Sequence, residues 1–315
     1  MTDHNLDCDL VSAGSDDVTA TKNSAAFNCL LQRITETGRS RTLYVPVGVY
    51  YFDDTLEIRR GQSIRGDGPA NLRYVGVSGR PAIRIASEDC GRPRAFDGVL
   101  EGLTLGSEGE RSWHGDESLD NVFIEMARTE RYRLEQITIA GPEGANTTAL
   151  RLLPGCIGIQ VQQLFVQNFH RFGIHIAGNG SNNNTFSKVV VRGNIHTPIV
   201  IEGSNGNRFV DGILEPLVSQ RFIDGIRGHA IFQNMRFERS VRPEVAWVEQ
   251  SPDALLCFDQ MWVGYVQGID LPAPSEDCGT GLSEISRRYS LPYPYPHYGP
   301  YRYRTQRWPR GHYRR

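Results

Sequence analysis

The sequence lacks long hydrophobic runs and an excess of charge of either sign. It holds 34 Lys and Arg against 36 Asp and Glu, which gives its 315 residues a formal net charge of −2. A chain this close to neutral has no bulk attraction for nucleic acid, so we do not expect nucleic acid to be its partner. Its apolar runs are no longer than a strand, so we expect no segment that spans a membrane.

Two further absences concern the cellular compartment. Residues 1–9 are polar and acidic and lack the apolar core of a secretory signal peptide, which predicts synthesis in the cytosol without such a peptide. The cysteines show no spacing typical of a metal site, so we expect free thiols and neither a metal nor a cofactor. There are six of them: Cys8, Cys29, Cys90, Cys156, Cys257 and Cys278.

No stretch between residues 122 and 266 has the 3.6-residue period of a helix. Short apolar strands recur there every 23 to 27 residues, at 122–126, 149–152, 173–176, 198–201, 221–223 and 245–248. A second strand follows each of them, at 137–139, 164–166, 189–191, 212–214, 235–237 and 261–263. A fixed period of this size, built from strands, predicts a β-solenoid.

Alternation of side chains along the second strands separates core from surface. Their central residues are taken as equivalent and outward: Thr138, Phe165, Val190, Ile213, Arg236 and Trp262. The two positions that flank each of them then share the inward face. Eleven of those twelve flanking residues are apolar. They predict one continuous wall of the core.

The N-terminal part is predicted to close one end of the solenoid. Residues 1–20 are expected to form an arm that leads into a β-helix over 21–270. A capping helix is expected over about 24–36, with Asn23 or Ser24 as its N-cap and an apolar face over the open end. The segments YVPVGVY (44–50) and IRGDG (64–68) follow it.

These features resemble the pectate-lyase-like superfamily, in which a capping helix precedes a YVPxGxY strand and an L-x-G-x-G turn. The resemblance covers about residues 10–266, although residues 11–17 depart from the family's F-G-A-x-G-D-G opening. It implies an all-β fold, a single-stranded right-handed parallel β-helix with an N-terminal capping helix. The superfamily includes pectinases, polysaccharide lyases, epimerases and phage tailspikes, so the fold does not determine one activity.

Two segments interrupt this pattern. Residues about 106–120 break the period and are predicted to form an inserted loop, of the kind with which solenoids often bind ligands. Residues 271–315 are predicted to be a linker and a tail, and 289–315 hold seven Tyr, five Pro and six Arg without an acidic residue. Such a tail suits docking on another virion or assembly protein, and a disordered solubilising tail is the alternative.

A pair of carboxylates on the second strands is the first candidate for catalysis. Glu215 and Glu238 are predicted to stack one rung apart, close to the carboxylate spacing of a retaining glycosidase. Arg192, one rung away, is a candidate to bind a carboxylate or sulfate of the substrate. A solvated pair of surface carboxylates is the alternative interpretation of the same pattern.

The outward column on the first strands is the second candidate. It reads Glu125, Arg151 and His175, which predicts either a salt-bridge ladder or a substrate-binding stripe. In the latter, Arg151 binds the substrate and Glu125 or His175 carries a proton. The second strands also carry an outward polar column: Gln136, Gln163, Lys188, Asp211, Asn234 and Gln260. This column suits either binding of a long polar ligand or a face that only water contacts.

An outward apolar stripe runs beside that polar column. Phe165, Val190, Ile213 and Trp262 point away from the predicted core, and such a stripe indicates contact either with another subunit or with a long loop that covers it. Tailspike-like members of the superfamily assemble three rods side by side, so the resemblance implies a homotrimer.

These observations favour a phage-type virion spike, a tailspike or decoration-type protein at the virion surface that recognises and in some cases cleaves surface polysaccharide. A stand-alone polysaccharide lyase, glycosidase or epimerase is the alternative, which the carboxylate pair keeps open. A purely structural β-helix assembly protein is a third hypothesis. The sequence alone does not decide whether the chain is an enzyme.

Overall fold

The computed structural model describes residues 9–11, 17–37, 42–59, 61–86, 95–107, 120–141, 147–169, 171–193, 195–217, 222–238, 248–260 and 262–264. Within them it has one helix, α1 (Asp17–Thr37), and 24 strands. The strands are β1 (Thr42–Val45), β2 (Gly48–Phe52), β3 (Leu56–Ile58), β4 (Ser63–Tyr74), β5 (Ile83–Ala86), β6 (Ala95–Phe96), β7 (Val99–Ser107), β8 (Asn121–Ala127), β9 (Thr129–Glu130), β10 (Arg133–Ala140), β11 (Thr147–Leu152), β12 (Gln160–Gln167), β13 (Phe172–Ala177), β14 (Thr185–Ser187), β15 (Val190–Gly193), β16 (Thr197–Glu202), β17 (Ser204–Val210), β18 (Ile213–Pro216), β19 (Ile223–Gly225), β20 (Gly228–Gln233), β21 (Arg236–Glu238), β22 (Val248–Gln250), β23 (Ala254–Asp259) and β24 (Trp262–Gly264).

The strands stack in parallel into two long sheets. In the large, fourteen-stranded sheet the main path is β1-β4-β7-β10-β12-β14-β17-β20-β23, β15-β18-β21-β24 form a second row beside it, and β2 pairs with β4. The eight-stranded sheet has the order β22-β19-β16-β13-β11-β8-β5-β3, and β6 pairs with β9. Neighbours in each sheet come from successive repeats of the sequence. The predicted fold class, a parallel β-helix with an N-terminal helix, is therefore confirmed.

The register predicted for the second strands is confirmed in β12, β15 and β18. Phe165 pairs with Val190, and Val190 pairs with Ile213. These three are half-buried and outward, whereas the residues that flank them are buried in the core: Leu164, Val166, Val189, Val191 and Leu214. The side-chain period of two residues fixes this arrangement, because a slip by one residue would expose the whole wall.

Aromatic rings of successive rungs stack on one another inside the solenoid. Phe186 and Phe209 have ring centroids 4.5 Å apart, Phe209 and Phe232 4.8 Å, and Phe232 and Phe258 5.2 Å, with interplanar angles no greater than 16°. Their strands pair in register, so the ring spacing follows the strand spacing of about 4.8 Å. The stack ties β14, β17, β20 and β23 together.

The helix α1 closes one end of this core, but it begins earlier than predicted. Phe27 of α1 is buried and packs edge-on against Tyr50 and Phe52, with centroids 6.3 and 6.5 Å apart. The predicted N-cap residues lie inside the helix, where Asn23 donates to the carbonyl of Tyr51 at 2.8 Å. Residues 17–20, which were assigned to the N-terminal arm, thus belong to α1.

The predicted polar column is a column of left-handed backbone conformations. All six of its residues have φ between 51° and 57°: Gln136, Gln163, Lys188, Asp211, Asn234 and Gln260. A residue in this conformation turns the chain sharply. Between β14 and β15, and again between β17 and β18, it separates the two strands of a rung, and in β10 and β12 it interrupts the pairing within one strand. We call this column the corner ladder.

The state of the cysteines differs from the expectation. Cys29 and Cys257 each take part in a disulfide bond, so the prediction of free thiols is wrong for both residues. Cys156 is a free thiol, and burial raises its pKa to about 12, so it stays protonated.

In the described part of the chain, no helix combines the length and the hydropathy that crossing a bilayer demands.

Candidate functional site

A group of charged side chains lies on the outward face of the eight-stranded sheet. The register of β5, β8, β11 and β13 places Arg84 beside Glu125, Glu125 beside Arg151, and Arg151 beside His175. Glu125, Arg151 and His175 are the column predicted from the first strands, and the structure brings them together and adds Arg84. We call these four residues, with Asp120, Arg171 and Glu202, the charged cluster.

Arg151 is the centre of the charged cluster. Its Nη2 donates to Glu125 Oε2 at 2.6 Å, and its Nη1 donates to Asp120. Arg171 Nη1 lies 3.1 Å from the other oxygen of Asp120, and Arg84 Nε lies 3.8 Å from Glu125 Oε1. The salt-bridge ladder that the alternating charges predicted is therefore present, with Asp120 as an additional acceptor.

Much of the charged cluster is buried although it lies outside the core. Glu125 is 7% exposed and His175 is 8% exposed, whereas the side chain of Glu202 keeps 40% of its surface exposed. Neighbouring outward positions in the same strands are buried as well, including Thr148 and Val200. Ion pairs in such a site are weakly screened, so each charge depends on its partner.

His175 is a member of the charged cluster whose pKa departs from its ordinary value. Its Nε2 lies 3.3 Å from Glu202 Oε2, and its ring packs edge-on against Phe172 with centroids 5.1 Å apart. Burial lowers the pKa of His175 below its usual value, and Glu202 opposes this shift. Among the described residues, neither ring nitrogen makes a hydrogen bond of ordinary geometry, so Glu202 acts on Nε2 through its charge. A carboxylate at Nε2 favours the tautomer with the proton there, which leaves Nδ1 as an acceptor.

The charged cluster therefore combines two chemical capabilities. The arginines can pair with carboxylate or sulfate groups of a ligand. Arg84 and Arg171 are the more accessible, with 46% and 39% of their side chains exposed, against 19% for Arg151. A neutral imidazole oriented by a carboxylate can accept a proton. No group of three or more His, Cys, Asp or Glu in the described part of the chain is arranged to hold a metal ion.

Four members of the charged cluster were missed by sequence reasoning: Arg84, Asp120, Arg171 and Glu202. Glu202 follows the strand predicted over 198–201, and extending the alternation by two residues from Val200 would have placed it on the outward face. Asp120 and Arg171 each stand just before a first strand, where the sequence showed no periodicity. Their position depends on the turns between strands, which the repeat pattern does not specify.

The first-choice carboxylates also lie on adjacent rungs. Arg192 pairs with Glu215, and the pairing of Leu214 with Phe237 puts Glu238 next to Glu215 in the following rung. Pro216 stays in register opposite Gly193, so it does not displace Glu215. Both carboxylates are half-exposed, and Glu238 forms an ion pair with Arg236 of its own strand. The structure thus provides the predicted neighbours, with ordinary surface surroundings.

The other predicted binding residues lie around the apolar stripe. Lys188 and Asp211 are exposed members of the corner ladder, and Asn234 donates to Asp211 at 2.6 Å. Arg192 places its guanidinium 4.6 Å from the centroid of Phe165. Trp262 belongs to β24, opposite Arg236, but its side chain is not among those described.

Two predicted segments lie outside the described residues. They are the inserted loop, at 108–119, and the tail, at 271–315.

No protein-family model and no curated protein sequence matches the chain. Solved structures are similar in fold, among them ORF18 of Geobacillus virus E2, with 11% identity and a TM-score of 0.46 over 74% of this chain and 57% of that one. The tailspike protein of Acinetobacter phage vB_ApiP_P1 has 12% identity and a TM-score of 0.46 over 90% and 64% of the two chains. The A-module of the mannuronan C-5 epimerase AlgE6 from Azotobacter vinelandii has 12% identity and a TM-score of 0.37 over 78% and 92%.

The chain thus spans less than two thirds of the length of the first two of these proteins. At such identities the likeness concerns the fold alone. Nothing about the ligand or the reaction follows from it.

Proposed function

We propose that the chain is a phage-type spike protein, a tailspike or decoration-type spike, which recognises surface polysaccharide. The observation that supports this most is the charged cluster around Arg151, partly buried on the outward face of the eight-stranded sheet. Inward side chains already fill the core, so packing of the core does not require the charged cluster. Buried ion pairs add little net stability because desolvation offsets their attraction, which favours a role in ligand recognition.

A polysaccharide fits because the polar groups repeat along the solenoid axis. Successive rungs are about 4.8 Å apart, so an extended polymer lying along the axis meets one outward side chain of the column at each rung. Arginines such as Arg171 pair with carboxylate or sulfate groups, and carboxylates such as Glu202 accept from sugar hydroxyls. The proposed ligand is therefore an acidic surface glycan.

Binding of polysaccharides to an immobilised panel tests this proposal. Arg171→Ala removes a half-exposed guanidinium at the edge of the charged cluster, and we expect at least ~10-fold weaker binding of the best ligand. Arg133→Ala is the matched control, because Arg133 forms a comparable ion pair with Glu135 on the large sheet at 2.9 Å. A wild-type protein that binds no glycan, or equal losses in both variants, would contradict the proposal.

An enzyme acting on the same ligand is the second candidate, and the pairing of His175 with Glu202 favours it. A neutral imidazole beside a carboxylate is suited to proton abstraction or water activation. Product analysis separates the possible reactions: new reducing ends alone indicate a glycosidase, and unsaturated uronate ends indicate a lyase. An altered uronate composition without cleavage indicates an epimerase. Binding without any product leaves recognition as the function, and neither binding nor product leaves the structural role.

Attachment to a virion through the C-terminal tail belongs to the same proposal. Residues 289–315 combine seven Tyr and six Arg with five Pro, which suits an extended segment laid into a groove of another protein. We expect deletion of 289–315 to abolish incorporation into the parent particle while thermal stability stays nearly unchanged. Normal incorporation of the truncated chain would move the attachment role to residues 1–20.

A further inference from the structure

The apolar stripe is flanked by charges whose sign changes from one rung to the next. In one rung Val190 lies between Lys188 and Arg192, and in the next rung Ile213 lies between Asp211 and Glu215. The four charged residues are half-exposed or exposed. A positive band therefore lies directly beside a negative band, and both cross the stripe of half-buried apolar side chains. We call this surface the stripe face.

These charges have no partner of opposite sign in the described part of the chain. Arg192 and Glu215 are register partners, yet the guanidinium turns onto the ring of Phe165, 4.6 Å from its centroid. Asp211 accepts a hydrogen bond from Asn234 instead of pairing with a cation. Within the described residues, none of the four forms an ion pair. They remain able to pair with charges of another molecule.

From this pattern we infer that a second copy of the chain docks antiparallel on the stripe face. The two-fold axis would run along the strand direction, between the rung of Val190 and the rung of Ile213. This operation turns the rod axis end for end and brings each positive band against the partner's negative band. Arg192 then meets the partner's Glu215, and Lys188 meets the partner's Asp211, with every contact made twice as in any isologous interface.

The neighbouring rungs fit the same operation. The rung of Phe165 meets the partner's rung of Arg236, which sets an aromatic ring opposite a guanidinium, a favourable combination. Gln167 meets the partner's Glu238, an amide donor opposite a carboxylate. Sheets packed face to face lie about 10 Å apart, a distance that these long side chains can bridge. Val190 and Ile213 form the apolar centre of the contact.

Other symmetric arrangements of the stripe face bring like charges together. A three-fold axis parallel to the rod, or a two-fold axis in that direction, keeps corresponding rungs at the same height. The Lys188 and Arg192 bands of neighbouring copies would then converge, and so would the Asp211 and Glu215 bands, which is destabilising. The charge pattern thus favours the antiparallel dimer over the trimer predicted from sequence. This inference does not depend on the proposed polysaccharide ligand.

Sedimentation equilibrium of the full chain with a charge-reversal pair tests the dimer. We expect the wild type to be a dimer at micromolar concentration and Arg192→Glu to weaken it at least ~10-fold, because it creates two repulsive contacts. The double variant Arg192→Glu/Glu215→Arg should restore the dimer, since the two bands remain complementary. Arg133→Glu makes the same charge change on another column and should leave the dimer intact. Circular dichroism verifies that each variant is folded.

Cross-linking provides a measurement that does not depend on affinity. Gln167 and Glu238 are three rungs apart in one chain, about 14 Å, but opposite each other across the proposed two-fold axis. With a short bis-maleimide, Gln167→Cys/Glu238→Cys should give covalent dimers far more efficiently than either single variant. A monomeric or trimeric wild type, a dimer unaffected by Arg192→Glu, or equal cross-linking of the single and double variants would overturn the inference.

Discussion

The imidazole of His175 and the carboxylate of Glu202 face each other from neighbouring strands, with Nε2 3.3 Å from Oε2. Burial is the main cause that lowers the pKa of His175, and Arg151 lowers it further, whereas Glu202 and Asp120 raise it. The net shift is downward, so the ring is neutral at neutral pH. Glu202 therefore limits the effect of burial on this histidine.

The first prediction concerns the titration of His175 in Glu202→Gln. Loss of the carboxylate removes the largest cause that raises the pKa of His175, so that pKa should fall further in the variant. Imidazole resonances followed by NMR against pH measure the shift. Glu135→Gln, on the large sheet, is the control and should leave the titration unchanged. A higher or unchanged pKa in Glu202→Gln would show that the two groups do not interact.

The same shift predicts how stability depends on pH. The unfolded chain titrates this histidine near pH 6.5, and the folded chain titrates it at lower pH, so the unfolded state binds more protons in between. Folding stability should therefore decrease as pH falls below about 6.5. Denaturant unfolding at several pH values should show a weaker dependence in His175→Gln. An equally steep dependence in that variant would assign the effect to other groups.

The second prediction concerns Arg151, which pairs with two carboxylates. Arg151→Ala leaves Glu125 and Asp120 without their main partner. Because Glu125 is only 7% exposed, water can replace little of the lost interaction. We expect a loss of about 2–3 kcal/mol in the free energy of unfolding. Arg133→Ala, which breaks an exposed pair, should cost no more than about 1 kcal/mol. Similar losses in the two variants would mean that the charged cluster is solvated.

The third prediction separates the two candidate sites, should any polysaccharide be cleaved. Glu215 and Glu238 stand on adjacent rungs, so Glu215→Gln and Glu238→Gln should each lower the rate at least ~10²-fold if they act as acid and nucleophile. Initial rates on the cleaved glycan measure this. If both variants stay active, and His175→Gln and Glu125→Gln are inactive, the reaction belongs to the charged cluster.

Much of the fold was predictable because the core depends on alternation. Inward positions such as Leu164 and Val166 had to be apolar, and the outward neighbour Phe165 marked the register. The same rule placed Glu125, Arg151 and His175 in one column. It did not reveal Asp120 or Arg171, since these residues come from turns whose path depends on packing rather than on a repeat.

The backbone of the corner ladder was also not predictable from the sequence. Asp and Asn are enriched in left-handed conformations, so Asp211 and Asn234 give some indication of a turn. Gln163 and Lys188 give none, because alternation alone already explains polar residues on the outward face. The early start of α1 was missed for a related reason. Asn23 resembles an N-cap in sequence but binds the backbone of a strand.

The last prediction uses two adjacent glutamines of β12. Gln163 has φ of 57°, which costs an L-residue roughly 1–2 kcal/mol, whereas Gln162 pairs as an ordinary strand residue. Gln163→Gly removes that cost and should be neutral or stabilising by up to about 1 kcal/mol, after the extra entropy of the unfolded chain is offset. Gln162→Gly should destabilise by about 0.5–1 kcal/mol. Denaturant unfolding of the two variants measures this contrast, and destabilisation by both to the same extent would contradict the strained corner.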